Sequence, residues 1–376
     1  MQGRLISLDV FRGLTVALMI LVNNPGSWAH IHPPLRHARW NGWTPTDLVF
    51  PFFLFIVGVA ISLSFARRLD AGADRVQLVR KIFWRSVVIF LLGLFLNGFP
   101  FTGGAELWQN FRFWGVLQRI AVCYLLAGLT VVMFARWQGR ALVALGLILI
   151  YELGMRLPLV PDWGAGSFAL EDNFVRYLDL KLWGETHLYW GTGIPFDPEG
   201  LWSTWPAAVT TLAGFFTGEF LRGGLGLGAK LRRMVALGVV LFLVGQALHL
   251  AELVNKQLWT VSYVILTGGL ALVVLAGSTW AIDVKGWNRW TKPAVVFGSN
   301  ALVVFVGSGV LARILYLVKV PGPDGQVVSL KHWIYNQLFV PWAGQLNGSL
   351  LYAFAFILLW LGILWILYER KIFLKI

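Results

Sequence analysis

The sequence predicts an all-α, polytopic integral membrane protein of about ten transmembrane helices, with both termini on the inner side. Three observations carry that prediction. Of 376 residues, 57% are hydrophobic and 13% charged, and mean hydropathy is +0.69, whereas soluble domains are roughly a quarter charged. Apolar windows long enough to cross a hydrocarbon core of about 30 Å recur along the whole chain. Finally, the 31 basic residues, set against 18 acidic ones, gather in alternate loops. This composition excludes a disordered chain and argues against a soluble enzyme. A net charge of +13 would point to nucleic acid only if a polar domain carried it. Membrane orientation accounts for the charge instead, so the bilayer is the expected partner and nucleic acid is not.

Ten spans are predicted in order: 6–24, 47–66, 83–99, 113–134, 140–157, 204–221, 234–251, 259–281, 294–316 and 348–368. The first reads as a retained span, because Asp9 and Arg12 interrupt its apolar run and no small-residue cleavage site follows. The second ends at Arg67 and Arg68, and the third begins after Arg80 and Lys81. Arg136 and Arg140 part the fourth from the fifth, and Arg222, Lys230, Arg232 and Arg233 part the sixth from the seventh. Lys285, Arg289 and Lys292 precede the ninth, and the tenth runs into Arg370 and Lys371. With the N-terminus inside, inner segments hold 19 of the 31 basic residues, outer loops hold 9, and Arg12, Arg119 and Arg313 fall within spans. A bias that holds in every alternate loop fixes the N-in/C-in reading. Residues 1–376 read as a single transmembrane domain, with no 20–50-residue repeat and no inverted repeat. The lone Cys123 can form neither an internal disulfide nor a redox pair.

The outer loops 25–46, 158–203 and 317–347 are long and aromatic, and 13 of the 20 Trp lie at or beyond the outer boundary. Interfacial belts form on both faces and do not predict that skew. Outer loops folded over a site would, and flat indole faces suit sugar rings.

Ionisable groups at membrane depth are expensive and therefore candidates for function. Asp9 and Arg12 stand three apart on one helical face, so they can pair and lock helix packing. Alternatively, Arg12 can aim its planar fork at a phosphorylated ligand entering from the cytoplasm. The first outer loop holds three of the six His, namely His30, His32 and His37. These are too few converging ligands for zinc, and no metal site is expected. Taken singly each reads as an ordinary loop histidine, but His37 has polar company. Asn23 and Asn24 end the first span and Asp47 begins the second. Asp47 can equally be a first-turn acid facing a helix dipole, with Thr44 or Thr46 as cap and Pro45 in the first turn. Arg119, in Gly115-Val116-Leu117-Gln118-Arg119, sits too deep for a loop charge and can partner Asp47 or another buried acid. Ser262, Tyr263 and Asn300 are polar residues in spans, where interhelical hydrogen bonding is the plain explanation. Together with Arg12, Asp9 and Arg119 they form the set of cofactor-binding candidates. Gly224-Leu225-Gly226-Leu227-Gly228-Ala229 fits a dinucleotide fingerprint only formally, since it joins two helices instead of following a strand.

Several segments resemble the heparan-α-glucosaminide N-acetyltransferase family. They are Ser7-Leu8-Asp9-Val10-Phe11-Arg12-Gly13, His37-Ala38-Arg39-Trp40-Asn41-Gly42, Asp47-Leu48-Val49-Phe50-Pro51 and the Gly115–Arg119 run. Further along come Phe196-Asp197-Pro198-Glu199-Gly200, Leu258-Trp259-Thr260-Val261-Ser262-Tyr263, Asp283-Val284-Lys285-Gly286 and Lys371-Ile372-Phe373-Leu374-Lys375-Ile376. The resemblance implies a transmembrane acetyltransferase that takes acetyl-CoA from the cytoplasm and acetylates a glucosamine-like amino sugar on the periplasmic side. It also implies a compact bacterial relative in the inner membrane and, by analogy, a homodimer. The family's active histidine maps onto His37, and its assisting asparagine onto Asn23, with Asn24 as the rival.

The chemistry fits those residue types. Acetyl transfer to an amine needs a base, which neutral imidazole supplies. The same ring could instead attack the thioester and carry the acetyl group. An Asn amide suits a developing oxyanion, and Asp47 completes the catalytic candidates. CoA phosphates belong on the basic inner side, so only the acetyl group need cross. A membrane carrier for N-acetylglucosamine or a related sugar is the alternative, because ten spans, buried polar groups and outer aromatics would serve it too.

Overall fold

The computed structural model describes residues 5–157, 160, 166–250, 253–323 and 325–374. Arg4, residue 251 of the seventh predicted span, Lys375 and Ile376 lie outside the described residues, as does the side chain of Arg67. The chain is mainly helical, and the described residues contain one two-stranded sheet. Its helices are α1 (Ile6–Asn23), α2 (Val49–Ile61), α3 (Arg67–Asp70), α4 (Arg75–Gly98), α5 (Ala105–Gln109), α6 (Val116–Met133), α7 (Trp137–Arg156) and α8 (Phe174–Trp183). There follow α9 (Thr204–Arg222), α10 (Leu227–Leu248), α11 (Val261–Thr279), α12 (Lys292–Ser299), α13 (Ala301–Leu317), α14 (Leu330–Ile334) and α15 (Val340–Glu369).

Among the described residues seven helices are long and apolar enough to cross a membrane, or up to eight if the bent pair α12 and α13 counts as one span. Helices stand at all ten predicted places, but those at 83–99 and 204–221 are not among the seven. The first of these, α4, opens with Arg75, Arg80, Lys81 and Arg85, and the second, α9, carries four threonines and Glu219.

The chain divides into two compact units. One comprises Arg39–Gly42 and Pro51–Gly277; the other comprises Gln2–Ala38, Trp43–Phe50 and Ser278–Ile376. In the first, α6 packs on α4 and α9, and α7 also packs on α9. Here α2 and α9 approach until backbones touch, for a Cβ on Gly58 would strike the Thr211 carbonyl and one on Gly214 the Phe55 carbonyl. Small residues permit such approaches, which is how membrane helices gain contact without a hydrophobic drive. Beyond α7 the long connecting segment has a core of its own, in which Tyr151, Met155, Val175, Phe196 and Leu258 are buried beneath Trp40, Phe168 and Trp202. Asn173 caps α8 by accepting the Arg176 N–H at 2.9 Å.

In the second unit α1 packs on α12 and α15. The free N–H groups of Ile6 and Ser7 at the start of α1 are taken by the Asp283 carboxylate, at 2.9 and 3.2 Å, which satisfies two helix-end donors with an acid at the positive end. The Ser7 and Thr279 hydroxyls meet at 3.0 Å. The chain bends by 81° between α12 and α13. At that bend Asn300 donates from Nδ2 to the Ile372 carbonyl and accepts the Leu374 N–H on Oδ1, each at 3.0 Å. Strands β1 (Lys319–Pro321) and β2 (Val327–Ser329) form an antiparallel hairpin with Val320 opposite Val328.

Gly58→Val should destabilise the protein by about 1–3 kcal/mol or more, as overpacking does, and lower its melting temperature in detergent. Gly277→Ala, where an added Cβ meets open space, should leave that temperature unchanged or raise it. Equal melting for both variants would contradict the close packing of α2 on α9.

Candidate active site

The first predicted outer loop begins where α1 stops. Asn24, at φ −130° and ψ 51°, leaves helical geometry and Pro25 follows it. The Asn24 side chain folds back and donates to the Ile20 carbonyl at 2.9 Å, closing an acceptor that the helix end would otherwise leave open. Asn23 is exposed, and its amide makes no hydrogen bond among the described residues. Of the two neighbouring asparagines, Asn23 therefore has the side chain available to a ligand. The loop is then stapled to α15, as Gly26 N–H donates to the Ser349 carbonyl at 3.1 Å and Ser27 N–H to the Ser349 hydroxyl at 3.0 Å. His32 Nε2 meets Asn347 Oδ1 at 3.1 Å.

A single carboxylate organises the next ten residues. Asp47 is only 1% exposed, yet it is surrounded by donors. Its Oδ1 lies 2.6 Å from His37 Nδ1, and its Oδ2 accepts the N–H groups of Ala38 and Thr44, both at 3.0 Å. The Thr44 hydroxyl donates to the Arg36 carbonyl at 2.7 Å. With its other oxygen accepting two backbone N–H groups, Asp47 offers the ring an acceptor, so His37 presents Nδ1–H to it. The neutral ring then carries its lone pair on Nε2. The His37 side chain is 41% exposed, so an acceptor can reach it. A fixed carboxylate, an oriented imidazole and a reachable second nitrogen make a base of the kind used in acyl transfer.

After Ala38 the chain joins the first unit. Gln257 Nε2 donates to the Arg39 carbonyl at 2.9 Å, Trp40 Nε1 to the Phe168 carbonyl at 2.9 Å, and Gly42 N–H to the Val254 carbonyl at 2.8 Å. Asn255 Nδ2 lies 3.3 Å from Asn41 Oδ1, and the Trp40 and Phe196 rings meet edge to face at 5.2 Å. Gly42 takes φ +90°, a conformation that L-residues with side chains rarely adopt.

The remaining candidates fall into separate groups. Asp9 and Arg12 pair on α1 at 3.5 Å. Arg119 is fully buried, bonded to the Ser203 hydroxyl and to the Gly200 carbonyl at 3.2 Å, with its guanidinium 5.1 Å from the Trp259 ring centre. The Trp259 ring in turn meets Tyr263 at 5.3 Å, so Arg119, Trp259 and Tyr263 are one packed group. Ser262 shares hydrogen bonds with Thr260 at 3.0 Å and the Leu253 carbonyl at 3.3 Å. Asn300 is engaged by the 372–374 tail already described.

One cluster escaped the sequence reading. Arg112, counted there as an outer-loop charge, places Nε and Nη2 on the two oxygens of Asp197, each at 2.7 Å, and Nη2 also reaches Glu199 Oε2 at 2.7 Å. Burial alone would weaken the charge on Arg112, but Asp197 and Glu199 more than offset it and raise its pKa. The signal available in sequence was the unusual Phe196-Asp197-Pro198-Glu199-Gly200 turn. Nearby Asp179 is also buried. That burial, and then the charge of Asp197, push its carboxyl well above the usual range, against the pull of the Leu201 N–H and Arg119.

A carboxyl with a raised folded-state pKa contributes most stability below its ordinary value, near about pH 4, and loses it as pH climbs toward the raised value. Asp179→Asn should therefore raise the melting temperature at neutral pH and flatten its fall above about pH 4. A variant whose melting tracks the parent at every pH would show that Asp179 titrates normally.

Comparisons with known proteins bear on the kind of protein this is. A family model described as heparan-alpha-glucosaminide N-acetyltransferase, catalytic, matches residues 4–170, a stretch that includes Asn23, His37 and Asp47. The Homo sapiens heparan-alpha-glucosaminide N-acetyltransferase is 30% identical over 99% of this chain. The Mus musculus protein of the same name is 28% identical over 100% of it. The chain spans 60% and 61% of the lengths of these two relatives. The chain is similar to both proteins along nearly all of its own length.

Proposed function

We propose that this protein is a transmembrane acetyltransferase that moves an acetyl group from cytoplasmic acetyl-CoA to a glucosamine-like amino sugar on the opposite face of the membrane. The observation that carries the reading is the 2.6 Å contact of His37 Nδ1 with the buried Asp47 carboxylate. The names of the relatives support the reaction type and the glucosamine acceptor. On this reading residues 1–376 act as one functional module with both termini inside, in a bacterial inner membrane.

In this mechanism His37 Nε2 takes the proton from the acceptor amine as it attacks the thioester carbonyl, and Asp47 stabilises the imidazolium that forms. Asn23 donates to the oxygen of the tetrahedral intermediate. Collapse of that intermediate breaks the C–S bond, and the His37 proton is available to the departing thiolate. Arg12 and its partner Asp9 stand near the inner start of α1, where Arg12 can meet the phosphates of the donor. Arg119, Tyr263, Ser262 and Asn300 are the further donor-binding candidates in this proposal, by residue type.

Purified protein given acetyl-CoA and glucosamine should release free CoA thiol, and His37→Ala should abolish that release. Asn23→Ala should lower kcat by about 100- to 1000-fold, as loss of an oxyanion donor does elsewhere. Arg12→Ala should weaken CoA binding, read by thermal shift, more than it affects the sugar. Sugar accumulation in vesicles without acetyl-CoA, unaltered by His37→Ala, would replace this reading with a carrier.

A further inference from the structure

A small half-open pocket lies in the second unit, where the C-terminal end of α1, the first predicted outer loop and the first half of α15 meet. Leu21 and Val22 of α1 and Leu346, Leu350 and Ala353 of α15 give it aliphatic walls. It has room for about one or two water-sized groups. His30 lines it as well, and the buried Nδ1 of that ring makes no hydrogen bond among the described residues. Buried polar atoms are normally answered by a partner, so a partnerless nitrogen on a pocket wall points to a ligand. A water there would find few further partners, because the Ser349 hydroxyl is already engaged by Ser27.

The pocket borders the candidate active site. Val22 directly precedes Asn23, and Leu35 of the opposite wall stands two residues before His37. The turn Pro33–Leu35 packs on the turn Pro45–Leu48 that carries Asp47. The Thr46 hydroxyl donates to the Pro34 carbonyl at 3.2 Å, and Arg36 Nε to the Ile31 carbonyl at 2.8 Å. All of these residues, with Asn23, His37 and Asp47, belong to the second unit. Size and lining select among the parts of the two proposed substrates. A sugar ring is too large, and its hydroxyls would go unpaired against aliphatic walls. Phosphates would meet no Lys or Arg among the lining residues. A short acyl group satisfies both features, since its alkyl end suits the walls and its carbonyl oxygen suits a ring N–H.

We infer that this pocket seats the transferred acyl group and admits chains of up to about four carbons, one or two water-sized groups beyond acetyl. In this seat His30 donates from Nδ1 to the carbonyl oxygen alongside Asn23, so that two donors meet the developing oxyanion. The transfer is the one already written: the C–N bond forms, the C–S bond breaks, and the amine proton passes by His37 to the departing thiolate. Each methylene that leaves water for the walls tightens the donor by about fourfold, so longer thioesters gain until the pocket is full. The inference rests on the acetyltransferase reading above and adds the room that sets acyl length.

Two measurements test the seat. In the first, CoA-thiol release is followed with glucosamine and acetyl-, propionyl-, butyryl- or hexanoyl-CoA. Each kcat/KM is taken relative to acetyl-CoA in the same variant, so that general damage cancels. The parent should use propionyl- and butyryl-CoA at least as well as acetyl-CoA and fail with hexanoyl-CoA. Ala353→Val, which narrows the pocket, should lower the butyryl ratio about tenfold or more. Leu350→Ala, which widens it, should raise the hexanoyl ratio by as much. A parent that uses acetyl-CoA alone, or ratios that ignore both substitutions, overturns the seat. His30→Leu should lower kcat by about 100- to 1000-fold, and His30→Asn, which keeps an N–H donor, should recover most of it; equal losses overturn the donor role. The second measurement needs no turnover. Butyryl-CoA should raise the melting temperature of the parent more than CoA does, and Ala353→Val should lose that excess. An excess that persists in Ala353→Val, or none in the parent, overturns the seat. The expected excess with no thiol release from any thioester would retain the seat and sink the acetyltransferase reading instead.

Discussion

A carboxylate removed from water must be surrounded by donors or lose its charge, and Asp47 meets that demand from its own loop. Its two oxygens gather His37, Ala38 and Thr44, so the eleven residues from His37 to Asp47 form a closed ring. The geometry of the imidazole follows from this need more than from its immediate sequence. His30 and His32 share the loop but lack any such carboxylate: His32 meets an asparagine, and His30 keeps a buried Nδ1 with no partner among the described residues. Three histidines of similar local context are thereby separated by one acid ten positions away.

The helical, membrane-embedded character was legible because apolar windows recur at the length of a bilayer and leave little else for the chain to be. Where the pattern was purely local, as in α1, α6 or α11, sequence and structure coincide to within a few residues. The bend at Asn300 was not legible, since its stabilising partners lie 72 and 74 positions further on. Composition could place Asn300 at membrane depth but could not say that its amide would be spent on backbone groups of the tail. The same limit hid the grip of Arg112 on Asp197, 85 residues apart. At the proposed active site, residue type gave His37 polar company that includes Asp47, and the family resemblance singled out His37 and Asn23. The choice between Asn23 and Asn24 is sharpened only by seeing Asn24 turned back onto Ile20.

Two arginines show how differently one side chain can be carried inside the first unit. Arg112 is matched oxygen by oxygen, with a bidentate carboxylate and a second acid on the same nitrogen. Arg119 is more deeply buried, yet its Nε and Nη1 have no hydrogen-bond partner among the described residues, and its guanidinium lies against Trp259 instead. Buried charge without full pairing is costly, and such positions persist where they serve a purpose beyond stability.

The start of α1 carries a consequence for biogenesis. Its first N–H groups are answered by Asp283, whose bond to Ile6 spans 277 positions of chain. During synthesis α1 therefore enters the bilayer with its end unsatisfied, and stays so until Asp283 has been made. Water or the insertion machinery must serve those groups in the interim, and the second unit can close only after the ribosome has passed residue 283.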